Sequence, residues 1–304
     1  MNGQSTGWRN YLPTLAILAL LATAFVISLR SQVSAQPGIP ALTGFRYTML
    51  LVIGLAAGFL GGIIGTGGCS VMLPAIHFWL GYPSAVAVGT TLFAVIFTAI
   101  SGGYAHLVRR NLDTRATLWL GGSGIIGVLL GSYLFTLLSS QTRLLGLLLG
   151  LAFLWPAIRM IGDGLFIRHK KIRREGNEIP GSSSGLAAFG FVIGTLTGLV
   201  GLGGGYALVP GLIYLFGAPV YVTMGTSLAT MIPLAVVGGS IKLAQGFVAV
   251  NSGLILAAGT VIGAQIGASA IKRFKPNTLK LIFGLYFAYV SIRFIAGYFG
   301  VHVW

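Results

Sequence analysis

Long apolar runs separated by short polar breaks dominate this chain. The runs cover residues 11–29, 46–64, 84–108, 115–138, 143–162, 184–200, 219–243, 251–271 and 277–299. Most approach or exceed the ~20 residues that a helix needs to cross a bilayer. Two further apolar stretches, 68–80 and 204–216, are too short. Thirteen helical residues reach about 20 Å at 1.5 Å per residue, against a hydrocarbon core of ~30 Å. The pattern predicts an all-α, polytopic helical membrane protein with a short or broken helix at two places.

Those two places are related. Gly58, Gly62, Gly65, Gly67, Gly68, Pro74, Gly81, Pro83, Gly89 and Thr90 reappear 136 residues later as Gly194, Gly198, Gly201, Gly203, Gly204, Pro210, Gly217, Pro219, Gly225 and Thr226. The register continues without a gap, Gly102, Gly103, Gly127 and Gly131 matching Gly238, Gly239, Gly263 and Gly267. The expected organisation is an extra helix and linker (1–45), a first transmembrane repeat (46–162), a basic loop (163–183) and a second repeat (184–300). Duplicated apolar units interrupted at one shared position are the pattern of a secondary transporter.

Each short stretch follows a glycine cluster, Gly65-Thr66-Gly67-Gly68 or Gly201-Leu202-Gly203-Gly204-Gly205, and ends at Gly81-Tyr82-Pro83 or Gly217-Ala218-Pro219. Glycine costs a helix about 1 kcal/mol relative to alanine, so the clusters should interrupt it. The short piece either crosses, giving inverted repeats, or re-enters, giving parallel ones. The basic residues favour inversion. They gather at Arg109, Arg110 and Arg115, at Arg168–Arg174, and at Lys272, Arg273, Lys275 and Lys280. Only the inverted arrangement keeps all three clusters on the cytoplasmic side.

Charge otherwise narrows the chemistry. Lys and Arg number 19 against 4 Asp and Glu, a net charge of +15, yet charged residues make up only 8% of the chain. Loop clusters between apolar runs answer to the membrane, so no nucleic-acid partner is expected. The single cysteine, Cys69, excludes an internal disulfide and a cysteine metal cage. Residues 11–29 exceed the apolar core of a cleaved signal and read as a retained helix. Val33-Ser34-Ala35 leaves cleavage open as an alternative.

Asp113, Asp163, Glu175 and Glu178 all lie in or beside the basic loops. No carboxylate sits mid-membrane to hold a cation or relay protons, which disfavours a cation substrate. The glycine clusters suit the opposite charge. A helix that begins inside the membrane exposes unpaired N–H groups and a partial positive end, and glycine lets an oxyanion approach them. The candidate binding residues are therefore Gly67, Gly68, Cys69 and Ser70 with Gly203, Gly204, Gly205 and Tyr206. Thr90, Thr91, Thr226 and Ser227 are candidate hydroxyl donors, although such groups also bond back to their own helix. Gln265 is a further polar candidate. His77 and His106 are possible proton carriers, His106 reading more simply as a helix-end histidine at the interface. No cofactor or metal is expected. Gly58, Gly62, Gly127, Gly131, Gly194, Gly198, Gly259, Gly263 and Gly267 recur at four-residue spacing, as in faces for close helix packing.

Enzyme motifs fail. Gly201-x-Gly203 lacks the third glycine of a dinucleotide fingerprint, Tyr206 standing there, and no strand precedes it. Gly121-Gly122-Ser123-Gly124 resembles the serine motif of rhomboid proteases, but the only later histidines are His169 in a loop and His302 at the terminus. An intramembrane enzyme or a non-transporting scaffold is the alternative reading.

The sequences Gly67-Gly68-Cys69-Ser70-Val71-Met72-Leu73-Pro74 and Gly203-Gly204-Gly205-Tyr206-Ala207-Leu208-Val209-Pro210, with the Gly89-Thr90-Thr91 and Gly225-Thr226-Ser227 triplets, resemble the paired signature of the TauE/SafE family. The resemblance spans roughly residues 46–300. It implies a multi-pass carrier in the bacterial inner membrane for sulfite, sulfonates or related sulfur or carboxylate anions, with that anion and the lipid bilayer as its partners. An anion gains about 2.3 kcal/mol per charge per 100 mV on leaving a negative-inside cell, so export of a sulfonate, sulfite or related sulfur oxyanion is the expected function. Cys69 departs from the third glycine such proteins commonly have.

Overall fold

The computed structural model describes residues 12–30, 39–109, 111–165, 178–201, 203–270 and 276–301. Val33-Ser34-Ala35, the cluster Arg168–Arg174, Arg110, Leu202, Lys272, Arg273, Lys275, His169 and His302 lie outside them. The described residues form helices joined by turns, with no strand among them, in the order α1 (Leu12–Arg30), α2 (Gly44–Ile64), α3 (Cys69–Pro74), α4 (Ser84–Val108), α5 (Thr114–Leu138), α6 (Thr142–Leu165), α7 (Ser183–Val200), α8 (Gly205–Leu215), α9 (Val220–Ala244), α10 (Val250–Ala270) and α11 (Pro276–Tyr298). Among the described residues, α2, α4, α5, α6, α7, α9 and α10 are long and apolar enough to cross a membrane.

Pro74 ends the α-helical hydrogen bonding of α3, and a π turn over Ala75–Trp79 carries the chain onward. A proline has no N–H to donate, which is a common origin of such a change in pitch. The chain then turns through Gly81, where Tyr82 N donates to Ile76 O at 3.1 Å. The same bond closes α8, from Ala218 N to Leu212 O at 3.0 Å.

The four-spaced glycines set the closest helix pairs. Along α2 and α10, a β-carbon on Gly54 would lie 2.5 Å from Leu256 O and one on Gly62 2.9 Å from Ala264 Cα, while Gly58 abuts Thr260 and Gly263 abuts Leu55. Numbers rise together in both helices, so the pair is parallel. In α5 and α7, Gly194 packs on Gly124 and Gly198 on Val128, again in parallel. Removing side chains lets these backbones touch, the source of helix affinity where lipid supplies no hydrophobic drive. Two other pairs run antiparallel. In α4 and α9, Gly102 faces Leu228 and Gly238 faces Leu92; in α6 and α11, Gly284 meets Ile161 while Ser291 Oγ donates to Gly150 O at 2.8 Å.

Loop ends are tied by side chains. Asp113 accepts Ala116 N at 3.0 Å through Oδ1, capping α5, and Ile179 N at 2.6 Å through Oδ2. It thereby anchors the start of α5 to the segment leading into α7. Asp113→Ala is expected to lower stability by about 1–3 kcal/mol, read as an earlier melt of the detergent-solubilised protein. An unchanged melting temperature would rule out that anchoring role.

Candidate functional site

Both glycine breaks adopt left-handed backbone at matching positions. Gly65, Gly67 and Gly68 have φ of 83°, 68° and 75°; Gly201, Gly203 and Gly204 have 69°, 65° and 75°. Residues with a β-carbon pay about 1–2 kcal/mol each in this region, so consecutive left-handed turns of this kind require glycine. The first intrahelical bonds after each break go from Val71 and Met72 to Gly68 O and from Ala207 and Leu208 to Gly204 O. The opening amides of both short helices stand ahead of them.

The breaks meet. A β-carbon on Gly67 would lie 2.5 Å from Met231 Cε and 3.5 Å from Val95 Cγ1; one on Gly203 would lie 2.8 Å and 3.2 Å from the same atoms, and 3.2 Å from Cys69 Sγ. A β-carbon on Gly205 would meet Thr66 Cα as closely, at 2.6 Å. Val95 and Met231 come from the middles of α4 and α9, and are themselves 136 residues apart. They form a plug between the two turns. Gly68 and Gly204 face the other way, onto Ala57 of α2 and onto Ile193 and Thr197 of α7. All of Gly67, Gly68, Cys69, Ser70, Gly203, Gly204, Gly205 and Tyr206 are buried, so the centre is closed over.

Four hydroxyls at or near this centre are buried without a hydrogen-bond partner: Ser70 Oγ and Tyr206 OH, which occupy equivalent positions in the two short helices, with Thr66 Oγ1 and Thr230 Oγ1. Buried hydroxyls are normally satisfied. Cys69 is buried, with its thiol donating to Thr66 O at 3.4 Å.

Thr90, Thr91, Thr226 and Ser227 of α4 and α9 make hydrogen bonds to backbone groups. Thr90 Oγ1 accepts Ala249 N and Thr226 Oγ1 accepts Asp113 N, each at 3.0 Å. These equivalent bonds hold the chain just before α10 and α5. Thr91 Oγ1 donates to Ala87 O at 2.7 Å within its own helix, whereas Ser227 Oγ donates to Gly65 O at 2.9 Å and fastens the first break. Gln265 Nε2 donates to Ser101 O at 3.0 Å, joining α10 to α4. His106 is completely buried in the last turn of α4, where its Nε2 lies 3.5 Å from Gly62 O of α2. His77 Nδ1 and Tyr82 O lie 2.7 Å apart. The sequence reading missed Val95, Met231, Thr66 and Thr230. The repeat register could have flagged Val95 and Met231, but an apolar pair in an apolar helix carries no chemical signal of its own.

No cluster of His, Cys, Asp and Glu among the described residues has the geometry to hold a metal ion. A cavity of about 290 Å³ lies beyond the far end of α3, lined in part by His77, Phe78, Arg143 and Arg293, away from the breaks.

The sequence profile described as "Sulfite exporter TauE/SafE" matches residues 50–294, which include both breaks and the plug. The chain belongs to the TauE/SafE family. It is a multi-pass membrane transporter rather than an enzyme. It is 28% identical over 267 residues to the probable membrane transporter protein YunE of Bacillus subtilis, covering 82% of this chain and 97% of that one. A probable membrane transporter protein of Haemophilus influenzae is 24% identical over 268 residues, 82% of this chain and 98% of its own. Sulfite exporter TauE/SafE family protein 6 of Arabidopsis thaliana is 33% identical over 106 residues, 34% of this chain and 24% of its own. No solved structure gives a significant match.

Proposed function

We propose that this TauE/SafE transporter exports a small anion, a sulfonate, sulfite or related sulfur oxyanion, across a bacterial inner membrane. The substrate is held between the glycine breaks of two inverted halves. One observation carries this reading: the left-handed turns at Gly67 and Gly203 converge on the same two side chains, Val95 and Met231, and the first turns of the short helices that follow carry the unpartnered hydroxyls of Ser70 and Tyr206. Amides and hydroxyls can replace the hydration of an oxyanion without any ionised side chain. The chain's four carboxylates stand at 113, 163, 175 and 178, outside both breaks, so nothing there repels negative charge.

Inversion is supported by the antiparallel course of α4 against α9 and of α6 against α11, since each pair joins equivalent helices. Arg109 and Arg115 mark the cytoplasmic face under the positive-inside rule. The closed centre corresponds to an occluded state, and access from either side requires Val95 or Met231 to withdraw. An anion leaving a negative-inside cell gains about 2.3 kcal/mol per charge per 100 mV, which supports outward movement. The lipid bilayer is the remaining partner, and no nucleic acid takes part.

Ser70→Ala and Tyr206→Phe test the site with little steric change. Each removes a buried unsatisfied hydroxyl, so the empty protein should melt at the same temperature or later. If each hydroxyl contacts the anion, half-saturation of sulfite or sulfonate flux in proteoliposomes should rise by about 10-fold or more. Unchanged half-saturation in both variants would remove the breaks from the binding site.

A further inference from the structure

Two buried basic side chains have no acidic side chain paired with them among the described residues. Lys242, in the last turn of α9, is completely buried, and its Nζ has no hydrogen-bond partner. It rests on the face of Phe135, 3.3 Å from the ring centroid. His106, in the last turn of α4, is equally buried; its Nδ1 has no partner and its Nε2 lies 3.5 Å from Gly62 O. The two are equivalent in the repeat, 136 residues apart.

Their spacing from the plug is also the same. Lys242 follows Met231 by 11 residues, and His106 follows Val95 by 11. Eleven residues make about three helical turns, so each base stands on the same face of its helix as its plug residue, about 16 Å farther along. Because α4 and α9 are antiparallel, the bases lie on opposite sides of the centre. An aromatic face returns only part of the hydration that a buried ammonium gives up. Neither α5, α9 nor residues 245–249 carries an acidic side chain to make up the rest. Ionisable groups kept inside a membrane domain at such cost are ordinarily functional.

We propose that Lys242 is an anion-binding residue. Its ammonium is the fixed counter-charge that an oxyanion meets on the α9 C-terminal side of the plug, a second station three turns from the glycine breaks. In the closed arrangement Phe135 holds the ammonium in place, and the arriving anion replaces the ring as its partner. This inference rests on the anion-transport reading and adds to it a charged residue at one end of the path. A merely structural lysine, retained for its interaction with the C-terminal dipole of α9, would behave differently.

The test compares wild type with Lys242→Arg, Lys242→Met and Lys242→Gln. It measures flux into proteoliposomes and thermal stability in detergent, with sulfite, thiosulfate, taurine and sulfoacetate as probes. The methionine variant is expected to melt no earlier than wild type without anion. Its stabilisation by the transported anion should be lost and its half-saturation raised about 10-fold or more, while arginine preserves both. Glutamine supplies the same comparison if methionine does not fold. Either neutral variant with wild-type half-saturation and wild-type anion stabilisation overturns the assignment. So does a neutral variant that melts earlier while its half-saturation stays unchanged. A wild-type protein with no saturable flux and no stabilisation by any of the four probes overturns the transport reading together with this one.

Discussion

Gly203→Ala is expected to leave a folded transporter whose anion flux falls about 10- to 150-fold, the range set by losing one hydrogen bond of about 1.5–3 kcal/mol to a charged group. The new methyl would lie 2.8 Å from Met231 Cε, 3.2 Å from Val95 Cγ1 and 3.2 Å from Cys69 Sγ. It would also hold a residue with a β-carbon at φ 65°, a strain of about 1–2 kcal/mol. The nearest atom is the end of a flexible side chain, so the fold can give way. On the proposed reading, the amides of the break cannot shift without leaving the position that would receive the anion. Saturable flux in proteoliposomes, read beside the melting temperature, separates the two effects. Wild-type flux from a folded Gly203→Ala protein would show that the turn is scaffold only.

Gly194→Leu should fail in the opposite way. A β-carbon at Gly194 would lie 2.7 Å and 2.8 Å from the carbonyl carbon and Cα of Gly124. Those are backbone atoms of α5 with no rotamer to change, so α5 and α7 must separate. Overpacking of this kind costs about 1–3 kcal/mol even where side chains can yield, and here the whole small-residue face through Gly127, Gly131 and Gly198 is levered open. The expected result is loss of monodisperse protein on extraction, with no separable effect on affinity. A well-folded Gly194→Leu variant with an unchanged melting temperature would refute the close α5–α7 packing.

The contrast between these glycines was only partly legible in the sequence. Gly127 and Gly131, or Gly194 and Gly198, advertise a packing face because four-residue spacing is a local property of a helix. The crowded run Gly201 to Gly205 advertises a break for the same local reason. Neither pattern names a partner. That α7 lies along α5 of the other half, and α2 along α10, follows from surfaces far apart in the chain. Hydroxyl chemistry was the least legible. Thr90 and Ser70 look alike as buried polar residues, yet Thr90 accepts Ala249 N, 159 positions away, while Ser70 Oγ has no partner. Lys242 was hidden among the other basic residues, since a lysine near a helix end gives no sign of complete burial.

By itself the amino-acid order determined the helical class, the bounds of most spans, the two interruptions and the duplicated register. Each depends on apolar run length and glycine placement, which act over one or two helical turns. Tertiary structure alone decided that Gly67 and Gly203 share the Val95–Met231 plug, which hydroxyls are engaged, and that Lys242 is enclosed with no counter-charge among the described residues. Those outcomes depend on which helix faces meet, and contacts between residues more than a hundred positions apart leave no local pattern in the chain.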